Sequence, residues 1–374
     1  MLCTRLSEWE KTATAALLGP QAANKSAATT PAQIGDDEAV DPFKAVADEW
    51  AVLVDATARL LTPLKSVFDA AVVDRPASAR AATPSGKKGS KAAPPPPEGG
   101  LVVLCISDKL SSLPLEALPF WPASVSAVSR DFGLHLLAGR ARNGAGGRST
   151  APVSKTSYVV DPRAGHVEAC VGTPGCSALL QQSFSTAVLA SYGSEWTGLV
   201  GGGSSRRVPS QGEYIRLLSA QSLFVFCGVG VVAQHITPPT VLTADLGGLS
   251  LAVVMDRVPT DAIARTASHD LARQPACERV MWSAHGMAAG MLSRGALSVA
   301  INARVSAADE VTRVLAGLLA GCAPGDVPAA QVLRSVCADA HALSARMPWL
   351  AHNVLVYGLP SVTLLGSSTK DKKK

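Results

Sequence analysis

From residue 101 onward, apolar runs of strand length alternate with stretches whose apolar positions recur every three or four residues. Segments 101–106, 157–161, 222–227, 249–255 and 298–302 read as strands, with a last pair near 352–357 and 362–365. Segments 209–220, 260–273, 306–320 and 328–345 read as helices. Near-continuous apolar strands separated by helices predict a parallel sheet covered on both faces. Ser306, followed by Asp309 and Glu310, has the form of an N-cap with acids in the first turn.

Upstream the pattern changes. Asp41 and Pro42 look like a helix start, and Phe43, Val46, Trp50, Leu53 and Val54 follow at helical spacing. The pattern continues from Leu60 to Val72 past Pro63, which should kink or divide the helix. Residues 1–40 carry little periodicity and are expected to be disordered. Residues 74–100, rich in Pro, Gly and Lys, form a linker without core-forming residues. Residues 139–152 read as a polar insertion and 201–207 as a flexible loop. The expected division is therefore a disordered segment (1–40), a helical segment (41–73, the end of a helical array if the chain is part of a longer protein), the linker, an α/β domain (101–366) and a basic tail (367–374).

Composition narrows the classes. Hydrophobic residues make up 47% of the chain, enough for a sizeable core, yet aromatics are only 5%. The longest apolar runs fall short of the roughly 18–20 residues of a membrane span, and the N-terminus lacks a signal-peptide core. The expectation is a soluble cytoplasmic protein with no membrane contact. The net charge of +5 lies partly in the terminal run Lys370-Asp-Lys-Lys-Lys374, a solvated tail or a contact for an acidic partner. The other basic residues are dispersed and not interleaved with aromatics, which argues against nucleic acid. The eight cysteines include no CxxC pair. Cys170 and Cys176 are close enough in sequence to pair or to share a metal, but no histidine cluster completes a zinc site. No metal and no cofactor is expected.

Gly228-Val-Gly230-Val-Val-Ala233 follows a strand and matches a dinucleotide fingerprint on paper. That motif needs a helix N-terminus at once, and Pro238 and Pro239 arrive too soon for one. Gly201–Ser205 lacks a P-loop lysine. Cys227 with His235 would make a thiol–imidazole pair only if the intervening loop folds back. His285 has no cysteine at suitable spacing after it and reads as structural.

Four segments in order resemble the CHAT domain and the related separase protease domain, both of caspase type. They are 101–108 followed by Leu113-Pro-Leu-Glu116-Ala-Leu118; Ser126-Ala-Val-Ser-Arg-Asp131; 298–306 running into the helix beyond it; and Ala351-His-Asn-Val-Leu-Val-Tyr-Gly-Leu-Pro-Ser361. The resemblance covers roughly residues 100–366. It implies a three-layer caspase-like α/β fold with a mainly parallel sheet, preceded here by a short helical region. Active members carry a histidine in G-H-G after one central strand and a cysteine after the next, as base and nucleophile of peptide cleavage. Here Gly228-Val229-Gly230 matches the first motif with Val229 at the histidine position, and Asp256 stands where the cysteine belongs. Valine moves no proton and a carboxylate is not a thiolate, so the resemblance implies a pseudo-peptidase. A cysteine peptidase with a shifted pair is the alternative. The former cleft around Gly228, Val229, Gly230 and Asp256 is then a binding surface for a partner protein, as are the helices of 41–72. The phrase Val128-Ser-Arg-Asp-Phe132-Gly-Leu134 further resembles a family of large axonemal proteins in which helical repeats precede a degenerate CHAT-like region. That likeness implies a structural role in the central apparatus of motile cilia, with other central-apparatus subunits as partners.

Overall fold

The structure is a computed structural model. It describes residues 2–18, 41–66, 100–119, 121, 125–144, 149–162, 176–201, 208–258, 275–322, 327–339 and 347–365. The strands are β1 (Gly100–Cys105), β2 (Val125–Asp131), β3 (Thr150–Pro152), β4 (Thr156–Val160), β5 (Thr197–Val200), β6 (Leu223–Val229), β7 (Leu251–Val258), β8 (Ser298–Asn302), β9 (Val354–Gly358) and β10 (Thr363–Leu365). Eight of them form one sheet in the order β1-β2-β9-β8-β7-β6-β4-β5. Every neighbouring pair in it is parallel except β8 with β9. β3 and β10 make a separate parallel pair.

The helices are α1 (Leu2–Leu18), α2 (Pro42–Leu61), α3 (Leu134–Gly144), α4 (Cys176–Phe184), α5 (Gln211–Ala220), α6 (Pro238–Thr243), α7 (Ala276–Met281), α8 (Ala284–Ser293), α9 (Ala308–Cys322) and α10 (Ala329–Ala338). They cover the sheet on two sides, and the strand alternation decides which residue meets which layer. In β6, Leu223, Val225, Cys227 and Val229 pack into one core with α4, α9 and α10. Phe224 and Phe226 point the other way, into a core with α5, α6 and α8. With both faces buried, β6 has no polar side to show, which is why its sequence reads as a continuous apolar run. This is the three-layer, mainly parallel architecture that the motifs implied.

Asp41 caps α2 as expected, its side chain accepting from Phe43 N with Pro42 just inside the helix. Pro63 follows the end of α2, in a short 3-10 turn at Thr62–Leu64. Several expectations are corrected. Residues 2–18 form α1 instead of a disordered segment. Of the last two strands, found close to where they were expected, β9 lies between β2 and β8, and β10 joins β3. The polar stretch 139–152 contains the end of α3 and the whole of β3. Ser306 does not act as the expected N-cap; its Oγ receives Asn353 Nδ2 at 2.7 Å and Asn302 Nδ2 at 3.2 Å, and α9 begins at Ala308 with both expected acids in its first turn. The segment 260–273, the Cys170–Cys176 pairing, the Gly201–Ser205 loop beyond its first residue, nearly all of the 74–100 linker and the basic tail lie outside the described residues.

The N-terminal helices are not a separate body. Trp9 of α1 packs at a tilt against Trp50 of α2, ring centres 5.1 Å apart, and meets Trp349, just before β9, edge-on at 5.2 Å. Trp9 Nε1 donates to Val46 O at 2.9 Å, so the buried indole has its partner. Arg304, after β8, lays its guanidinium over Trp50 and Trp9 at 4.9 and 5.5 Å. This cluster seats α1 across the carboxyl end of the central strands.

Candidate functional site

Parallel strands place the loops that follow them at one edge of the sheet, and ligands of open α/β sheets gather there. The edge is best defined where β6 and β7 end. Cys227 pairs with Met255 but Val229 pairs with Val258, so two steps of β6 span three of β7. The extra residue is absorbed as a bulge with two positive φ angles, 81° at Gly230 and 65° at Arg257. Gly230 N donates to Val258 O at 3.0 Å, and Arg257 N returns a bond to Gly230 O. For arginine the left-handed conformation costs roughly 1–2 kcal/mol, so the surroundings must hold it there. They do so through Arg257 Nε on Asn302 O and Nη2 on Trp282 O, both at 3.2 Å.

Asp256 is 1% exposed. Its Oδ2 accepts Val232 N at 2.7 Å, and its Oδ1 stands 3.6 Å from Arg257 Nε. Its main chain exchanges hydrogen bonds with the Asn302 amide. Burial pushes the carboxyl up to about 6, against the opposing pull of Arg257 and the Val232 N–H. A carboxylate tied in this way clamps the loop after β6 onto the end of β7.

The structure brings Gly228, Val229, Gly230 and Asp256 to adjacent strand ends. Of the four, only Gly230 lines the cavity at this edge. The Val229 side chain turns into the core on the α9 side, and its carbonyl receives His235 Nε2 at 3.0 Å. A Cβ on Gly228 would come within 2.6 Å of the Phe226 ring, so that glycine serves close packing. Cys227 is buried on the same face as Val229, whereas His235 lies against Phe226, which points to the other face. Burial pushes the Cys227 thiol far up, so it stays protonated. The turn after Gly230 is a single 3-10 turn, Val232–Gln234, and not the helix a dinucleotide motif needs. His285 packs its ring against Phe132 at 4.6 Å and Tyr357 at 5.7 Å. Among the described residues no group of His, Cys, Asp and Glu is arranged to hold a metal, and no helix is long and apolar enough to cross a membrane.

What sequence reasoning missed is the cavity itself. It measures about 530 Å³, within the range of ligand pockets, and α1 forms one wall through Leu6, Glu10 and Thr14. Arg257 reaches it from the end of β7, Arg304 from the loop after β8, and Arg279 and Trp282 from α7 and the turn beyond it. Arg257 was within reach of the sequence, since it follows Asp256 at the end of a central strand. Arg304 and α1 carried no motif.

No family model matches the chain. It is 28% identical over 256 residues to cilia- and flagella-associated protein 46 of Chlamydomonas reinhardtii, a match covering 60% of this chain and 9% of that protein. The chain thus spans less than a tenth of that relative's length. Among solved structures, separase in the separase–securin complex of Saccharomyces cerevisiae overlaps 69% of this chain and 15% of its own, with 14% identity and a TM-score of 0.48. The Porphyromonas gingivalis RgpB pro- and mature-domain complex overlaps 63% of this chain and 56% of its own, with 11% identity and a TM-score of 0.38. By sequence the chain is similar to part of a cilia- and flagella-associated protein, and by architecture it has the three-layer, mainly parallel sheet expected of a caspase-like domain.

Proposed function

We propose that the chain is a non-catalytic interaction module of the ciliary axoneme, a structural component of the central apparatus that contributes to cilium movement through contacts with other axonemal proteins. The observation that carries the first half is Asp256. At the strand end where a thiol protease would hold its sulfur, this protein has a buried carboxylate bonded to Val232 N. At the position of the base it has an aliphatic side chain packed into the core. Removing either member of such a pair removes most of a hydrolase's rate. The peptidase alternative draws no support from Cys227 and His235: the thiol is buried in the core on one face, and the imidazole lies against Phe226, which points to the other. The ciliary half rests on the likeness to the flagellar protein.

Two measurements test it. A chloromethyl-ketone or epoxide probe of cysteine peptidases should leave the purified chain unlabelled, and labelling of one thiol together with loss of a peptide-cleaving activity would refute the non-catalytic reading. The tagged chain, expressed in a flagellated cell, should stay with axonemes after detergent extraction and lie along the central pair; release with the membrane and matrix fraction counts against the placement.

A further inference from the structure

The cavity at the carboxyl edge does not stop at α1. A second hollow of about 450 Å³ continues along that helix and shares Glu10, Thr14, Arg257 and Val305 with the first. Together they form a groove bounded by α1 on one side and the strand ends on the other. Among the described residues its charge is one-sided: Arg257, Arg279, Arg304 and Lys11 line it against one carboxylate, that of Glu10. Asp256 lies behind the wall, beside Arg257. Glu10 sits 3.9 Å from Arg304, with a side chain 38% exposed, and offsets that charge in part.

Two of these cations are held in advance. The Arg304 side chain is 6% exposed, fixed over two tryptophans and bonded to Ser112 O at 3.0 Å. Arg257 is fixed by its two carbonyl contacts and carries a strained backbone at the groove wall, a cost of the kind that gathers at functional positions. Between the cations the wall is apolar, formed by Val258, Trp282 and Leu355. Guanidiniums immobilised beside an apolar wall favour carboxylates flanking an apolar side chain. The continuity of the two hollows along α1 favours an extended chain over a compact anion.

We propose that this groove binds an acidic peptide segment of a partner protein, seating one apolar side chain against Trp282 and its carboxylates on Arg257, Arg279 and Lys11. The inference rests on the interaction-module reading and supplies the chemistry of its partner.

The test uses the full chain and a fluorescein-labelled peptide of leucine flanked by glutamates, with a matched peptide carrying glutamine for glutamate. Fluorescence anisotropy should show saturable binding of the acidic peptide that weakens as salt rises, and binding of the glutamine peptide at least about tenfold weaker. The double variant Lys11→Glu with Arg279→Glu alters two exposed side chains, so it should keep its circular dichroism and lose affinity by about tenfold or more. Equal affinity for the two peptides, or unchanged binding by a folded double variant, overturns the acidic specificity. Failure here in a chain that still resides in axonemes and resists cysteine probes removes the groove's role and leaves the scaffold reading intact. Probe labelling with peptide cleavage removes the scaffold reading itself.

Discussion

Two of the buried ion pairs at this sheet are built to opposite standards. Glu116 and Arg130 meet fork to fork, with Nε at 2.6 Å and Nη2 at 2.5 Å from the two carboxylate oxygens. The remaining Arg130 donors go to Leu113 O at 2.8 Å and to Ser111 O. Burial works against the Arg130 charge, yet Glu116 outweighs it and the guanidinium holds its proton more firmly than usual. Asp256 and Arg257, by contrast, stand 3.6 Å apart with poorer alignment, and burial wins: the carboxyl is lifted to about 6. The first pair is a brace between the loop after β1 and strand β2. The second is left under-satisfied at the rim, where the protein faces a groove. A buried pair strengthens a fold only when both partners find all their bonds.

The contrast can be tested by breaking the brace. Glu116→Ala strands a guanidinium that is 1% exposed, and the expected loss is about 3–5 kcal/mol of unfolding free energy by urea titration. A loss below about 1 kcal/mol would show that water reaches Arg130 and that the pair is not a brace. At the rim the sign reverses. The folded pKa of Asp256 is raised from 3.8 to about 6, so between those values the native state binds more protons than the unfolded chain. Stability contributed by this group therefore falls as pH climbs from about 4 to 6 and stays low above. Asp256→Asn keeps an acceptor for Val232 N and should gain up to about 3 kcal/mol at pH 8, with no gain at pH 4. A destabilised variant at pH 8 would mean that the ion pair with Arg257 outweighs desolvation. The smallest effect is expected for Arg257→Gly. It returns roughly 1–2 kcal/mol of left-handed strain and gives up two 3.2 Å bonds and the contact with Asp256, so at pH 5, where Asp256 is mostly protonated, the net change should stay within about 1 kcal/mol while peptide binding weakens. Cooperative unfolding at a much lower urea midpoint would mark Arg257 as structural.

The same contrast explains how far the sequence could be read. β6, β7 and β8 were legible because a strand buried on both faces must be apolar throughout, and their short length and richness in Val, Phe and Ile separate them from a buried helix. Glu116, Ser129, Arg130 and Asp131 were legible as a family motif, but their work was not: the motif residues form the brace, with Arg130 on Glu116, Asp131 on Arg140 and Ser129 Oγ on Gly358 O. The short strands β3 and β5 escaped because three or four residues carry no periodicity. α1 escaped for another reason. Leu2, Leu6, Trp9, Ala13 and Ala16 do recur at spacings of four and three, but two of them are alanines set among a run of alanine and threonine, so the stripe reads as composition. The placement of Val229 and Asp256 at neighbouring strand ends followed from sequence, and the inward turn of Val229 continues the alternation of Leu223, Val225 and Cys227; the bulge at Gly230 and Arg257, which resets the facing of Val258 on β7, carried no sequence signal.

The tryptophan cluster has a practical consequence for cutting this protein into pieces. A fragment begun at residue 100, where the sheet starts, would lose Trp9 and Trp50 and uncover Trp349, which is 0% exposed in the whole chain. It would also release Arg304 from the rings that hold it. Such a fragment would present a sticky aromatic face and a slack cation at the rim, inviting aggregation and spurious anion binding. Expression boundaries should therefore keep both leading helices.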